Sequence, residues 1–371
     1  MKRLFELDVL RGVLLLMMVV DHSSSSLRLF TDQPFGFFTT AECFVFVSAF
    51  LAGLLFSKRA EERGFAAARS ASIHRAGRIC LGHLVTLGFA FALGGLFLSE
   101  FPGIRNLLDH YLRNQWAAIG GSVVLAFRPP LMDILPMYIL FSFLTPAAFA
   151  AARQWGWKIV LLFSASIWLI AQTHVRDLLI TAFQGVSFIQ LGPFDLFAWQ
   201  PLWVSGLFFG QCFHKGKTLL PLSGVVHPLL LVCTATFLVW RWSSIAFGSD
   251  LVALTWLLDK WHLGPLRLMN FFAAAFVAAR LLKLLNRWET LMRPLSLIGR
   301  HMLPVFCRPD LLHTGSHWPC RVGLDQRTDD LCLSTLPTGN GATFSIVPGI
   351  RSTTEAFRPW RPRVRARSLG N

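Results

Sequence analysis

Residues 7–22 read LDVLRGVLLLMMVVDH. The apolar run Val13 to Val20 is bracketed by ionisable groups, Asp8 and Arg11 before it and Asp21 and His22 after it. Lys2 and Arg3 come first, which gives the start the outline of a signal peptide. No small-x-small cleavage site follows and more apolar blocks do, so an uncleaved first transmembrane helix is expected over roughly residues 7–27. Arg11 and His22 are eleven positions apart. At about 100° per residue they fall within about 20° of one face, about 16 Å apart along the axis. Lipid would not tolerate that face, which must turn into a bundle or a water-filled cavity. Alternatively, Arg11 neutralises Asp8 and His22 only caps the helix at the interface.

Composition supports a membrane fold. Of 371 residues, 54% are hydrophobic and 15% charged, against about 25% charged in soluble domains. Phe occurs 34 times and Trp 13 times. A water-soluble core cannot hide that much apolar surface, whereas a bundle in lipid can. The net charge of +15 would suit nucleic acid, but the basic residues lie in short clusters between apolar blocks, as topology signals do. No nucleic-acid partner is expected. The seven cysteines are scattered, with no spacing that implies a disulfide or a metal.

Further apolar blocks lie at about 37–56, 79–98, 131–152, 157–172, 196–213, 219–240 and 266–285. A shorter one, 245–258, carries Asp250 and either spans or re-enters. The expected fold is therefore all-α, a polytopic bundle of eight or nine spans. With the N-terminus in the cytoplasm and eight spans, 17 basic residues fall inside and eight outside, which favours that orientation. The bundle is assigned to 1–307. Residues 308–371 hold nine Arg and no Lys, with six Pro, six Gly and twelve Ser or Thr. They are expected to form a poorly structured tail. It is either native or the product of a reading-frame shift near Cys307, where the opening of another span stops.

Several motifs follow one another. They are LDVLRG with Arg11 and His22; Ala41 to Ala49, AECFVFVSA; Asp133 to Tyr138, DILPMY; and Phe197 to Gln200, FAWQ. In this order they resemble the OpgC family of the membrane acyltransferase 3 superfamily, over about residues 1–307. Family members usually have Gly where this chain has Cys43 and Ala49, and their final spans are missing after Cys307. The resemblance implies a multi-pass protein of the bacterial inner membrane. Its expected activity is transfer of succinyl groups from an acyl-CoA, succinyl-CoA as the donor, to hydroxyls of osmoregulated periplasmic glucans or another sugar acceptor. No bound cofactor and no metal is expected.

Acyl transfer to a sugar hydroxyl needs a base, an oxyanion stabiliser and a cationic anchor for the donor. An imidazole is the side chain best suited to serve as a general base near neutral pH, and His22 is the expected base. Glu42, from the next helix, is expected to orient it, with Asp21 as a structural or acceptor contact, because neighbours on a helix diverge by about 100°. Arg11, Arg75 and Arg78 suit coenzyme A phosphates or a succinyl carboxylate; Arg75 and Arg78 also read as positive-inside anchors. Asp133, placed before Pro136, Trp199 and Gln200 are the candidate acceptor contacts, with Trp203 and Trp116 as further stacking surfaces. His83 lies one turn deeper than Arg78. Two other readings stay open: a transporter or flippase, since intramembrane Asp, Arg and His suit that class, and an inactive acyltransferase fragment.

Overall fold

The computed structural model describes residues 4–23, 26–96, 105–106, 108–129, 132–182, 191–217, 226–247, 255–282 and 289–300. All of them belong to one unit, Met1–Gly323. The tail 308–371 and Asp250 lie outside the described residues.

The described residues are helical, with no strand among them. The helices are α1 Phe5–Asp21, α2 Arg28–Thr31, α3 Thr40–Leu96, α4 Asp109–Arg113, α5 Gln115–Val123, α6 Ile134–Trp155, α7 Trp157–Ala171, α8 Val175–Ala182, α9 Leu196–His214, α10 Val226–Phe247, α11 Thr255–Leu258, α12 Pro265–Leu281 and α13 Glu289–Arg300. Three of them, α3, α6 and α10, are long and apolar enough to cross a membrane; α7 is apolar but shorter. The blocks expected at 7–27, 196–213 and 266–285 are occupied by α1, α9 and α12. These fall short of that measure because they are 17 residues long, or carry polar groups such as Gln200 and Gln211. Leu81 and Val85 on α3, Leu144 on α6, Leu162 and Phe163 on α7, and Leu229 and Val232 on α10 are exposed. Such apolar surface has no place in water, and it marks a membrane protein.

Helix α3 covers two of the expected spans. It breaks at Gly64, whose backbone (φ 82°, ψ 164°) is open essentially to glycine alone. Phe56 and Phe65, nine residues apart, would be about 13 Å apart along a straight helix; their rings meet at 5.4 Å. The chain therefore folds back there. Gly156, between α6 and α7, has nearly the same backbone (φ 83°, ψ 157°). The two hinges lie at one end of the bundle, because Phe56 stacks on Phe149 at 4.2 Å and Arg153 sits 5.4 Å over the Phe65 ring. Trp157 donates to Gln211 and His214 meets Glu61 at 2.5 Å, which brings the end of α9 to the same place.

The crossing of α3 and α9 is the most extensive in the bundle. Small residues make it possible. A Cβ on Gly206 would lie 2.6 Å from the Ala49 Cβ, and one on Gly210 would lie 2.1 Å from the Phe50 carbonyl oxygen. Four-residue spacing of small residues lets helix backbones approach closely, the usual packing device in lipid. Ala49 is thus seated against Gly206.

Candidate functional site

The other end of the bundle gathers the polar groups. Its connecting segments include 22–23, 26–39, 124–129, 132–133, 172–174, 191–195 and 259–264.

His22 follows the last turn of α1 and is exposed. Its Nδ1 lies 2.7 Å from the Met18 carbonyl oxygen. A carbonyl can only accept, so Nδ1 is the donor there and Nε2 is the nitrogen left for another partner. Asp21 points elsewhere and accepts from the Thr31 hydroxyl, which ties α1 to α2. The expected pairing of Glu42 with His22 is not the contact formed. Glu42 is fully buried; Arg267 Nε donates to its Oε1, while the Thr39 amide and hydroxyl donate to Oε2 at 3.0 and 2.6 Å. The orienting acceptor of the imidazole is instead the backbone of its own helix. Next to this ion pair, the Phe37 amide donates to Asn270 Oδ1 at 2.7 Å. The chain approaches Asn270 so closely at Gly36 (φ 120°) that a Cβ there would be 2.2 Å from Oδ1.

Arg11 and Arg75 come together inside the bundle. Each acts electrostatically on the other and on the Tyr138 phenol, which lies beside Ser48. Tyr138 and Ser48 belong to two of the motifs named above, and the fold joins them. Arg78, one turn on from Arg75, is exposed.

Asp133 is buried and precedes α6. Arg128 and Lys260 act on it, and a Cβ on Gly192 would sit 3.0 Å from its own Cβ. Pro136 does not break the helix. It sits in the first turn of α6, where an N–H would have no helical acceptor. Arg128 donates to the Leu125 and Leu191 carbonyls at 3.1 and 3.3 Å, and burial pulls its guanidinium down to about 10. His83 is fully buried and no hydrogen bond reaches either ring nitrogen; Arg128 is its electrostatic neighbour.

Trp199 is fully buried. It donates to the Trp261 carbonyl at 3.0 Å and packs edge-on against Phe194. It has no face open for a sugar, and neither does Trp203, which donates to Thr145 at 3.0 Å. Gln200 is engaged by Ser164 through both ends of its amide, each contact 2.6 Å, and fastens α9 to α7. Trp116, by contrast, is 84% exposed.

A second polar group, unremarked in the sequence, lies around His262. Its Nδ1 meets Asp259 Oδ2 at 2.6 Å, and Asp177 Oδ2 lies 3.4 Å from its Nε2. His174 meets the same Asp177 oxygen at 3.1 Å. The Asp259 hydrogen bond holds the His262 imidazole above its ordinary range. Burial pushes Asp259 up, but bonds from His262 and the Trp261 amide outweigh it and hold the carboxyl low. These residues, like Arg267 and Asn270, come from segments far apart in the chain. The nearest signal was an arginine, Arg267, inside an apolar block.

The model of the OpgC protein family matches residues 3–329, past Cys307 and across most of the chain. The chain belongs to that family. No curated protein and no solved structure matches it.

Proposed function

We propose that this member of the OpgC family is a membrane O-acyltransferase. In this reading the N-terminus lies in the cytoplasm of a bacterial inner membrane, and the bundle crosses the membrane eight or nine times. The donor is an acyl-CoA, succinyl-CoA by resemblance, and the acceptor is a hydroxyl of a periplasmic glucan. The observation that carries the proposal is the hydrogen bond from His22 Nδ1 to the Met18 carbonyl. It commits Nδ1 to the helix's own backbone and leaves Nε2 as the nitrogen that would meet the acceptor hydroxyl, about three turns along α1 from Arg11.

Nε2 of His22 takes the proton of the sugar hydroxyl as the oxygen attacks the thioester carbonyl carbon. The tetrahedral intermediate collapses, the C–S bond breaks, and the thiolate takes up the proton from His22. Arg11 and Arg75 supply positive charge beside Tyr138 for the donor's carboxylate or phosphates. An Arg11–His22 separation of about 16 Å along α1 is comparable to an extended pantetheine arm.

Membranes holding the protein, incubated with labelled succinyl-CoA and glucan, should yield labelled glucan. Membranes with the His22→Ala protein at equal abundance should not. Labelled coenzyme-free acyl groups failing to reach glucan, while glucan itself crosses vesicles carrying the protein, would replace this reading with transport.

A further inference from the structure

We propose that His174, Asp177 and His262 hold a divalent transition-metal ion of the zinc class at the end of the bundle that carries His22. One donor atom from each lies within 4.8 Å of the others. Asp177 Oδ2 stands 3.1 Å from His174 Nδ1 and 3.4 Å from His262 Nε2. Around a tetrahedral ion with bonds of about 2.0–2.1 Å, neighbouring donors are about 3.3 Å apart. The two spacings to the carboxylate oxygen are close to those within a metal's ligand shell, and the two imidazole nitrogens lie within 4.8 Å of each other.

The second line of evidence is how His262 is held. A metal-bound imidazole almost always gives its other N–H to a carboxylate or a carbonyl, which sets tautomer and ring direction. His262 gives Nδ1 to Asp259 Oδ2 at 2.6 Å, and Asp259 is itself held by the Trp261 amide at 2.8 Å. This turns Nε2 towards Asp177 and His174. Nε2 is buried and makes no hydrogen bond. The backbone is fixed as well. Gln172 donates to the His262 carbonyl at 2.8 Å and Trp168 to the Leu263 carbonyl at 3.0 Å, so the end of α7 pins the segment that carries the ring. Asp195 is fully buried with Oδ2 making no hydrogen bond, and its charge acts on His262. It places a further carboxylate behind the site, which favours a cation there.

The donor set decides the class of ion. Two imidazoles and one carboxylate suit zinc, and equally its spectroscopic substitute cobalt; the harder calcium and magnesium prefer oxygen alone. Three protein donors leave a fourth position, and His174 and Asp177 are half exposed, so that position faces solvent. The ion would clasp the start of α8 to the loop before α12. The sequence gives no hint of it, because the histidines stand far apart with no ligand spacing.

The test uses the full chain purified in detergent and stripped with a chelator. Titration with zinc should show one saturable site per chain, and cobalt should give the visible absorption of a low-symmetry N/O site. His174→Ala, at an exposed position, should weaken zinc binding about 100-fold or more while the metal-free protein melts as wild type. Asp259→Asn should weaken it by about 10–100-fold, as loss of an outer-shell partner does. Zinc should raise the melting temperature of the wild type and not of His174→Ala. Absence of saturable binding, or binding that His174→Ala and Asp177→Asn both leave unchanged, overturns the proposal.

Discussion

Glu42 and Arg267, 225 positions apart in the chain, form an ion pair in which neither side chain is more than 2% exposed. It joins the start of α3 to the start of α12, and the Thr39 amide and hydroxyl complete the shell around the carboxylate. In a low-dielectric interior, desolvation nearly cancels the attraction of such a pair. Removing one partner is another matter, because the remaining charge stays buried alone.

Arg267→Ala is therefore expected to lose about 3–5 kcal/mol of stability. Glu42→Gln leaves the Arg267 charge buried without its partner and turns an amide NH2 towards groups that donate to the carboxylate, so it should lose a comparable amount. Thermal unfolding in detergent measures both. A protein with Glu42→Gln that melts as wild type but no longer transfers acyl groups would return Glu42 to the chemistry.

Gly64 and Gly156 are the second structural prediction. A Cβ at either position would meet nothing within 4 Å, so alanine costs only the backbone conformation. Gly64→Ala and Gly156→Ala should each lose about 1–3 kcal/mol. At Gly206 and Gly210 the added Cβ meets Ala49 and Phe50 instead, and α3 and α9 must separate. Valine at Gly206 should then cost more than alanine, whereas at Gly64 the two should differ little in packing. Equal sensitivity to side-chain size at Gly64 would show that space, not backbone, is what the hinge requires.

The helical class and most helix positions were legible, because apolar blocks of membrane length betray themselves by composition. A return between the blocks 37–56 and 79–98 was legible as well, but its sharp hinge at Gly64 was not. Residues 57–78 read as a charged inside loop, yet Lys58 and Glu62 pair along a continuing helix at 3.5 Å. Of the site, Arg11 and Arg75 sit beside Tyr138, a juxtaposition that no spacing along the chain reported. The motif FAWQ suggests Trp199 and Gln200 as acceptor contacts, whereas the fold engages them in packing α9 against Phe194 and Ser164. One-dimensional spacing reports which face of a helix a residue takes. It does not report which distant segment meets that face, and Arg267, His174 and His262 are all of that kind.

For the base, His22→Ala should reduce acyl transfer by about 10²–10⁴-fold. The ring is exposed and its bond is to its own helix, so the melting temperature should move little. Asp21→Asn keeps an acceptor for Thr31 and should leave the rate within a few-fold. A rate near wild type in His22→Ala would remove the imidazole from the mechanism.

Arg75 and Arg78 separate the donor reading from a topology signal. Both are basic, one turn apart on α3, and a positive-inside anchor would use them alike. The structure sets them apart: Arg75 is partly buried and shares the neighbourhood of Arg11 and Tyr138, while Arg78 is exposed. If the pair of guanidinium groups binds the donor's anionic groups, Arg75→Ala should raise KM for the acyl-CoA by about tenfold or more, since a charge-assisted hydrogen bond is worth about 1.5–3 kcal/mol. Arg78→Ala should change it less than about twofold, as exposed charges contribute little. Arg75→Lys keeps the charge without the planar fork and should fall between. Equal effects of Arg75→Ala and Arg78→Ala on KM, or an effect of Arg75→Ala on protein abundance alone, would show that Arg75 serves insertion rather than the donor.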